Sequence, residues 1–319
     1  MRNQAAIHAF PVPETTTEEL GAADAYNQAG DDYLSYADGD PGRLYAFDGE
    51  YAFGDSNIWS LLDTTLRTLR ASGQDSIQVL DAGCGPGTWL RRIIARAHQL
   101  GFTSIQARGF DLAERQVDRA RRLSRDVAQL PGVTVRFEVG DLGQPLAEAD
   151  ASVDLCLCLY GVLNHLQAAS LPRVVREFGR VTRGCFVTSV RSVGSTPSIF
   201  IDAIEQARSF HQDNDRDRCD IQLKNGRRVS FCCHLFAAGE LHQLFADDFR
   251  IEDLRGLDLF HKRFSPDPRW NPKSLATDRL QDELRRLEET YARDPGFIDR
   301  AAHLLLIARG RPGLETLGV

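Results

Sequence analysis

The sequence predicts an α/β fold, an open and mostly parallel sheet of seven strands with helices on both faces. Three observations predict it. An apolar strand, Ile77 to Leu80, runs through Asp81 into glycines at alternate positions, Gly83, Gly85 and Gly87, and then into an amphipathic helical stretch, Thr88 to Leu100. Strand and helix patterns then alternate as far as Val190. An acid, Asp81, Asp111 or Asp141, stands at the end of each of the first three strands.

Each element has its own reason. Glycine has no Cβ, so the turn at Gly83 to Gly87 is tight and its backbone approaches a ligand closely. The helix that follows presents unpaired N–H groups to that ligand. Ser104 to Phe110 reads as the second strand and ends in Asp111, with a helix over Ala113 to Ala128. A carboxylate there suits both hydroxyls of a ribose. Val133 to Val139 alternates with period two and leads into Gly140-Asp141-Leu142. Val153 to Leu159 is continuously apolar, as in a strand buried on both faces. Tyr160 to Leu166, a helix over Ser170 to Thr182 and a strand over Gly184 to Val190 follow. Five strand–helix repeats imply a parallel sheet with right-handed crossovers.

The flanks depart from this regularity. Residues 1–70 read as an arm and helical cap, with a helix over Asn57 to Leu69. Tyr33, Tyr36, Tyr45 and Tyr51, four of the seven tyrosines, suit either a lid over a ligand or a cap on the sheet edge. Residues 71–319 form the main domain, with insertions at 192–248 and 261–300. The first is expected to hold a helix, Ser198 to Phe210, and a hairpin turning at Asn225-Gly226. A helix over Ala238 to Phe245 then feeds a sixth strand, Phe249 to Leu254. In the second insertion Leu280, Leu284, Leu287 and Tyr291 mark an amphipathic helix, either core or the contact of a homodimer. Ala302 to Arg309 is the last strand.

Composition narrows the class. The chain has 319 residues, 42% hydrophobic and 26% charged, with net charge −7. No basic stretch is dense enough to track a phosphate backbone, so nucleic acid is disfavoured as a partner. No run of apolar residues spans a membrane, and the N-terminus lacks the layout of a secretory signal. Seven cysteines without a C-x-x-C pair point to a reducing, cytoplasmic setting. Cys232, Cys233 and His234 are adjacent on a strand and point apart, so no metal site is expected.

The run Asp81-Ala82-Gly83-Cys84-Gly85-Pro86-Gly87-Thr88 resembles the first motif of class I S-adenosylmethionine-dependent methyltransferases of the small-molecule type. That resemblance implies a Rossmann-like fold and S-adenosyl-L-methionine as cofactor. It sets Asp81 near the amino acid part and Gly83, Cys84 and Gly85 along the methionine and ribose. Asp111 and Leu112 then fall at the ribose, and Asp141 and Leu142 at the adenine. Leu159 and Tyr160 fall beside the transferred methyl. It implies transfer to N or O of a small-molecule metabolite by in-line displacement, with the protein supplying position.

His165 is the candidate general base, because an ordinary imidazole titrates at about 6.5. Its alternative is a structural ring lining the cofactor. Tyr160 is the second catalytic candidate, and Asn164 suits orienting an acceptor. Arg191 suits a substrate carboxylate or an ion pair with a nearby aspartate. His211 and His234 fall on the side of substrate entry. Two other readings stay open, a nicotinamide-dependent oxidoreductase and a non-catalytic cofactor-binding protein. The glycine register, which is not G-x-G-x-x-G, and Asp81 speak against the first.

Overall fold

The computed structural model describes residues 21–28, 43–47, 52–195, 207–223, 226, 228–261 and 276–311. Seven strands form one sheet: β1 (Ser76–Ala82), β2 (Ser104–Asp111), β3 (Val133–Val139), β4 (Val153–Cys158), β5 (Thr182–Arg191), β9 (Phe249–Leu257) and β10 (His303–Gly310). Their order is β3-β2-β1-β4-β5-β10-β9. The first five run parallel, and β10 is antiparallel to both β5 and β9. The mostly parallel seven-stranded sheet expected from the sequence is therefore present.

Alternation within the strands sorts the core into two layers. Val79, Leu155, Val187 and Leu305 face one side with α2 (Ala52–Ala71), α3 (Thr88–Gln99) and α4 (Glu114–Leu123). Leu80, Cys156, Phe186 and Leu306 face the other, with α6 (Leu171–Val181) and α7 (Ala238–Ala246). Helix α2 presents Ile58, Leu62 and Leu66 to the sheet at the four-residue spacing of one helix face. On the opposite layer Phe186 is fully buried and packs on Phe178, Phe245 and Phe249 with ring centroids 5.0, 5.3 and 5.0 Å away.

Several details differ from the sequence reading. Ala113 to Ala128 is not one helix: Ser124 breaks it, leaving α5 (Arg125–Ala128) as a separate turn. No helix joins β3 to β4; residues 140–152 cross in an extended loop. The helix expected over Ser198 to Phe210 lies mostly outside the described residues, and its end belongs to a strand, β6 (Ala207–Asp213). β6 pairs with β7 (Arg218–Leu223), which pairs with β8 (Arg228–Cys232), in a separate antiparallel sheet. The Asp213 to Arg218 charges form its first turn; Lys224, Asn225 and Arg227 of the second lie outside the described residues. The stripe of the second insertion lies on α8 (Ala276–Tyr291), where Leu284 is buried. Tyr33, Tyr36 and Tyr51 also lie outside the described residues, whereas Tyr45 packs on Trp59 at 4.8 Å.

Phe186→Ala would open a void between three neighbouring rings. Urea unfolding should show a loss of about 3–5 kcal/mol, read as a lower midpoint at unchanged slope.

Candidate active site

The strand order reverses direction between β1 and β4, and the ends of both strands lie beside a concavity. In an open α/β sheet that reversal is where ligands bind. A cavity open to solvent at its mouth sits there, with about 1090 Å³ of empty space when the open mouth is counted. Gly83, Cys84 and Gly85 line it after β1, Asp111 and Leu112 after β2, Asp141 and Leu142 after β3, and Leu159, Tyr160 and His165 after β4. Asp81 lines it from within β1. The nine residues expected at the cofactor and the two catalytic candidates, Tyr160 and His165, thus meet at one cavity.

The turn after β1 is built for close approach. Gly83 has φ +75° and packs so tightly on Val162 that a Cβ would collide with that side chain. The Gly83 and Cys84 amides both donate to the Phe110 carbonyl, at 2.8 and 2.9 Å, which ties the turn to β2. Gly85 has φ +51° and open space where a Cβ would stand, so its backbone is bare toward the cavity.

The acids differ in surroundings. Asp81 is 2% exposed, and its Oδ2 has no hydrogen-bond partner among the described residues. Burial, and then the neighbouring Asp111 charge, push its carboxyl up to about 7. Asp111 accepts the Gly85 amide on Oδ2 and the Ala113 amide on Oδ1, each at 2.9 Å. Burial raises its titration while those amides pull it back. Its capping and cavity roles are compatible, because each oxygen keeps a second lone pair. Asp141 is exposed at the rim and accepts the Gly143 amide at 2.7 Å.

Residues 79–184 match a family model described as a methyltransferase domain. Over those residues the chain is similar to methyltransferase domains. The CcbJ methyltransferase of Streptomyces caelestis is 13% identical, with 78% of this chain and 95% of that one covered and a TM-score of 0.48. The magnesium protoporphyrin IX methyltransferase of Synechocystis PCC 6803, solved with bound S-adenosylhomocysteine, is 15% identical, with 90% and 96% covered and a TM-score of 0.46. The geranyl diphosphate C-methyltransferase of Streptomyces coelicolor A3(2) is 16% identical, with 94% and 100% covered and a TM-score of 0.43. None of these likenesses bears on the substrate of this chain. No curated protein matches it.

The cavity fits S-adenosyl-L-methionine, the cofactor that the first motif implies. Buried Asp81 Oδ2, Thr88 Oγ1 and Gln116 Oε1 all lack a hydrogen-bond partner among the described residues, and all three side chains line the cavity. An acceptor-rich wall with a carboxylate suits a ligand bringing a cation, hydroxyls and an amine, which this cofactor does.

The catalytic candidates are held from behind. Tyr160 has φ +57°, a costly conformation for a residue with a Cβ, and Ser189 Oγ fixes it by accepting its amide at 2.7 Å. The Tyr160 phenol donates to Asp55, whose carboxylate lies 3.8 Å from Arg92. His165 does not titrate as an ordinary imidazole. Burial pushes it down to about 4 against the pull of the Cys232 carbonyl, and the Arg191 charge adds to the depression. Its Nδ1 lies 3.0 Å from that carbonyl and its Nε2 lies 2.8 Å from the Tyr26 hydroxyl.

Other candidates do not reach the cavity. Asn164 is 1% exposed and spends its amide on backbone, donating to the Arg191 and His234 carbonyls and accepting the Arg191 amide. It staples loops and does not orient an acceptor. Arg191 is buried behind the cavity, with Ser195 Oγ at 3.3 Å, and is not among its lining residues. His234 joins Asp217 at 2.8 Å and Glu240 at 2.7 Å; these acids outweigh burial and raise its titration. His211 is exposed on β6 and also lies away from the cavity.

Sequence reasoning missed Tyr26, Thr88 and Gln116. Thr88 opens the helix after the glycines and Gln116 sits in the first turn after Asp111, so both were findable by position. Tyr26 lies on α1 (Ala22–Gln28), a seven-residue helix. Nothing in its flanking sequence points to the cavity.

Asp81 holds a proton more tightly folded than unfolded. Its stabilising contribution is therefore present in acid and is lost as pH rises from 3.8 through about 7. His165 favours the neutral form, so its contribution is present above 6.5 and is lost as pH falls toward about 4. Asp81→Asn removes only the first. Thermal unfolding of the ligand-free protein should show D81N melting above wild type at pH 8 and losing that advantage near pH 4.

Proposed function

We propose that this methyltransferase holds S-adenosyl-L-methionine with Asp81, Gly83, Cys84, Gly85, Asp111, Leu112, Asp141, Leu142 and Leu159, and that the methyl passes to N or O of a small-molecule metabolite beside Tyr160 and His165. The observation that carries this reading is the set of partnerless acceptors on one buried wall, headed by Asp81 Oδ2. The cofactor supplies an electrophilic methyl on a sulfonium. The protein's part is to bind, align and keep water out.

The ionised Asp81 carboxylate balances the cationic methionine end, and its burial strengthens the attraction. Asp111, steadied by two backbone amides, accepts the ribose hydroxyls with its remaining lone pairs. Leu112 is 51% exposed at the cavity, and a planar base lying there would cover it. Asp141 and the Leu142 backbone stand at the same end for the edge of that base. Tyr160, fixed by Asp55 and Ser189, borders the acceptor side.

A small acceptor is supported by the wall that α1 adds to the cavity, where Ala22, Ala23 and Tyr26 are among the lining residues. Net charge −7 argues against a nucleic acid, and the cysteine usage suits a reducing cytosol. No helix among the described residues is long and apolar enough to cross a membrane.

Calorimetric titration with S-adenosylhomocysteine tests the site. The expected result is micromolar binding, weakened about 10- to 150-fold by Asp111→Ala, the range for hydrogen bonds to a charged group. Absence of heat at millimolar ligand would overturn the reading.

A further inference from the structure

His234 stands just past β8, where the small sheet meets α7, and both of its ring nitrogens face carboxylates. Nδ1 lies 2.8 Å from Asp217 Oδ1, in the turn between β6 and β7. Nε2 lies 2.7 Å from Glu240 Oε1, in the first turn of α7. Both acids are themselves anchored. The Asp217 carbonyl accepts the Cys233 amide at 2.7 Å, and Glu240 accepts the Ala237 amide at 3.4 Å on its other oxygen. The ring of Phe236 stands edge-on to the imidazole at 4.5 Å.

The proton count follows from this geometry. An ionised carboxylate only accepts. A neutral imidazole has one N–H, so it would serve one acid and turn a bare lone pair on the other. Both bonds form together only on the imidazolium. Burial opposes that charge, but the bonds to Asp217 and Glu240 outweigh it and hold His234 above an ordinary imidazole. Other charged groups stand on the elements around the ring. Arg216 pairs with Asp213 at 3.4 Å and Arg218 with Asp220 at 2.8 Å. Asp299 accepts the Ala238 amide at 2.6 Å, and the carbonyl of Arg191 accepts the Phe236 amide at 3.0 Å. Burial raises the thiols of Cys232 and Cys233 and so keeps them neutral.

The same segment reaches the cavity. The His234 amide donates to the Asn164 carbonyl at 2.7 Å, and the Asn164 side chain donates back to the His234 carbonyl. Two residues earlier, the Cys232 carbonyl lies 3.0 Å from His165 Nδ1, and the ring of Phe231 stands edge-on to His165 at 5.4 Å. His165 lines the cavity. Whatever fixes residues 231–234 therefore fixes His165.

We propose that His234 is a pH-sensitive clamp, which as an imidazolium locks the small sheet to α7 through Asp217 and Glu240 and so seats His165 at the cavity, and which releases one acid and lets that wall relax when it loses its proton. His234 is a positioning residue that acts through Asn164 and Cys232. The clamp does not depend on which ligand the cavity holds. The folded protein binds this proton more tightly than the unfolded chain does. Its stabilisation is therefore complete below about 6.5 and is lost as pH rises through the folded midpoint.

The test follows the side-chain 15N resonances of His165 and His234 in the full chain as pH rises from about 5.5 to about 9, across the ordinary imidazole range. His165 itself titrates far lower, at about 4, so a step in its resonances above 6.5 reports another group. The expected result is a His165 step at the midpoint of His234. It should vanish in His234→Gln. Glu240→Gln keeps an acceptor oxygen toward the ring without the charge, and should move the step down by about half a pH unit. A step caused by Asp81, which burial brings up to about 7, would persist unmoved in both variants. His165 resonances that ignore the His234 midpoint, or a step that Glu240→Gln leaves in place, would rule the clamp out. The wild-type and Glu240→Gln readouts decide the matter even where His234→Gln folds poorly.

Discussion

A carboxylate that faces a cavity from inside a buried strand is the constraint around which this molecule is arranged. Asp81 sits at the end of β1, 2% exposed, with one oxygen unanswered among the described residues. Leaving such a group buried costs free energy unless a ligand answers it. Asp111, next along the rim, adds a second carboxylate and raises the cost. In the proposed function, a cationic cofactor converts that cost into affinity. The tight turn at Gly83, packed on Val162 and tied to Phe110, keeps the cradle closed around that spot.

The acceptor side depends on parts that lie outside the parallel sheet. The antiparallel trio β6, β7 and β8 supplies the ring of Phe231 and the carbonyl of Cys232 that set His165. Ala22 of α1 packs on the core of that small sheet, beside Cys219, Ile221 and Val229. The His234 link to Asp217 and Glu240 ties the small sheet's first turn to α7. The insertion thus aligns a histidine and seats the helix that bears Tyr26.

Much of this was legible in the sequence, and the reason is local. The glycine spacing and the acid ending each strand are set by the backbone within a few residues, so Asp81, Asp111 and Asp141 were recognised without tertiary information. Burial on both faces made Val153 to Leu159 unambiguous in the same way. The misreadings were of non-local origin. Asn164 reads as a candidate ligand residue because its three backbone partners come from segments far along the chain. The depression of His165 depends on enclosure, on a carbonyl 67 residues away and on the Arg191 charge, none of which sequence spacing encodes. The helix expected at Ser198 to Phe210 ends in a strand because β7 offers Ala207–Asp213 a pairing edge. Tyr26 was invisible because a single tyrosine in a polar region has no pattern.

The most direct measurement is the titration of the Asp81 carboxyl by 13C resonance, with D81N as the assignment control, in the free protein and in its complex with S-adenosyl-L-methionine. The account requires a midpoint near 7 in the free protein that falls by more than one pH unit once the cation is bound. An ordinary carboxylate midpoint in the free protein, or one that the cofactor leaves unmoved, would contradict it.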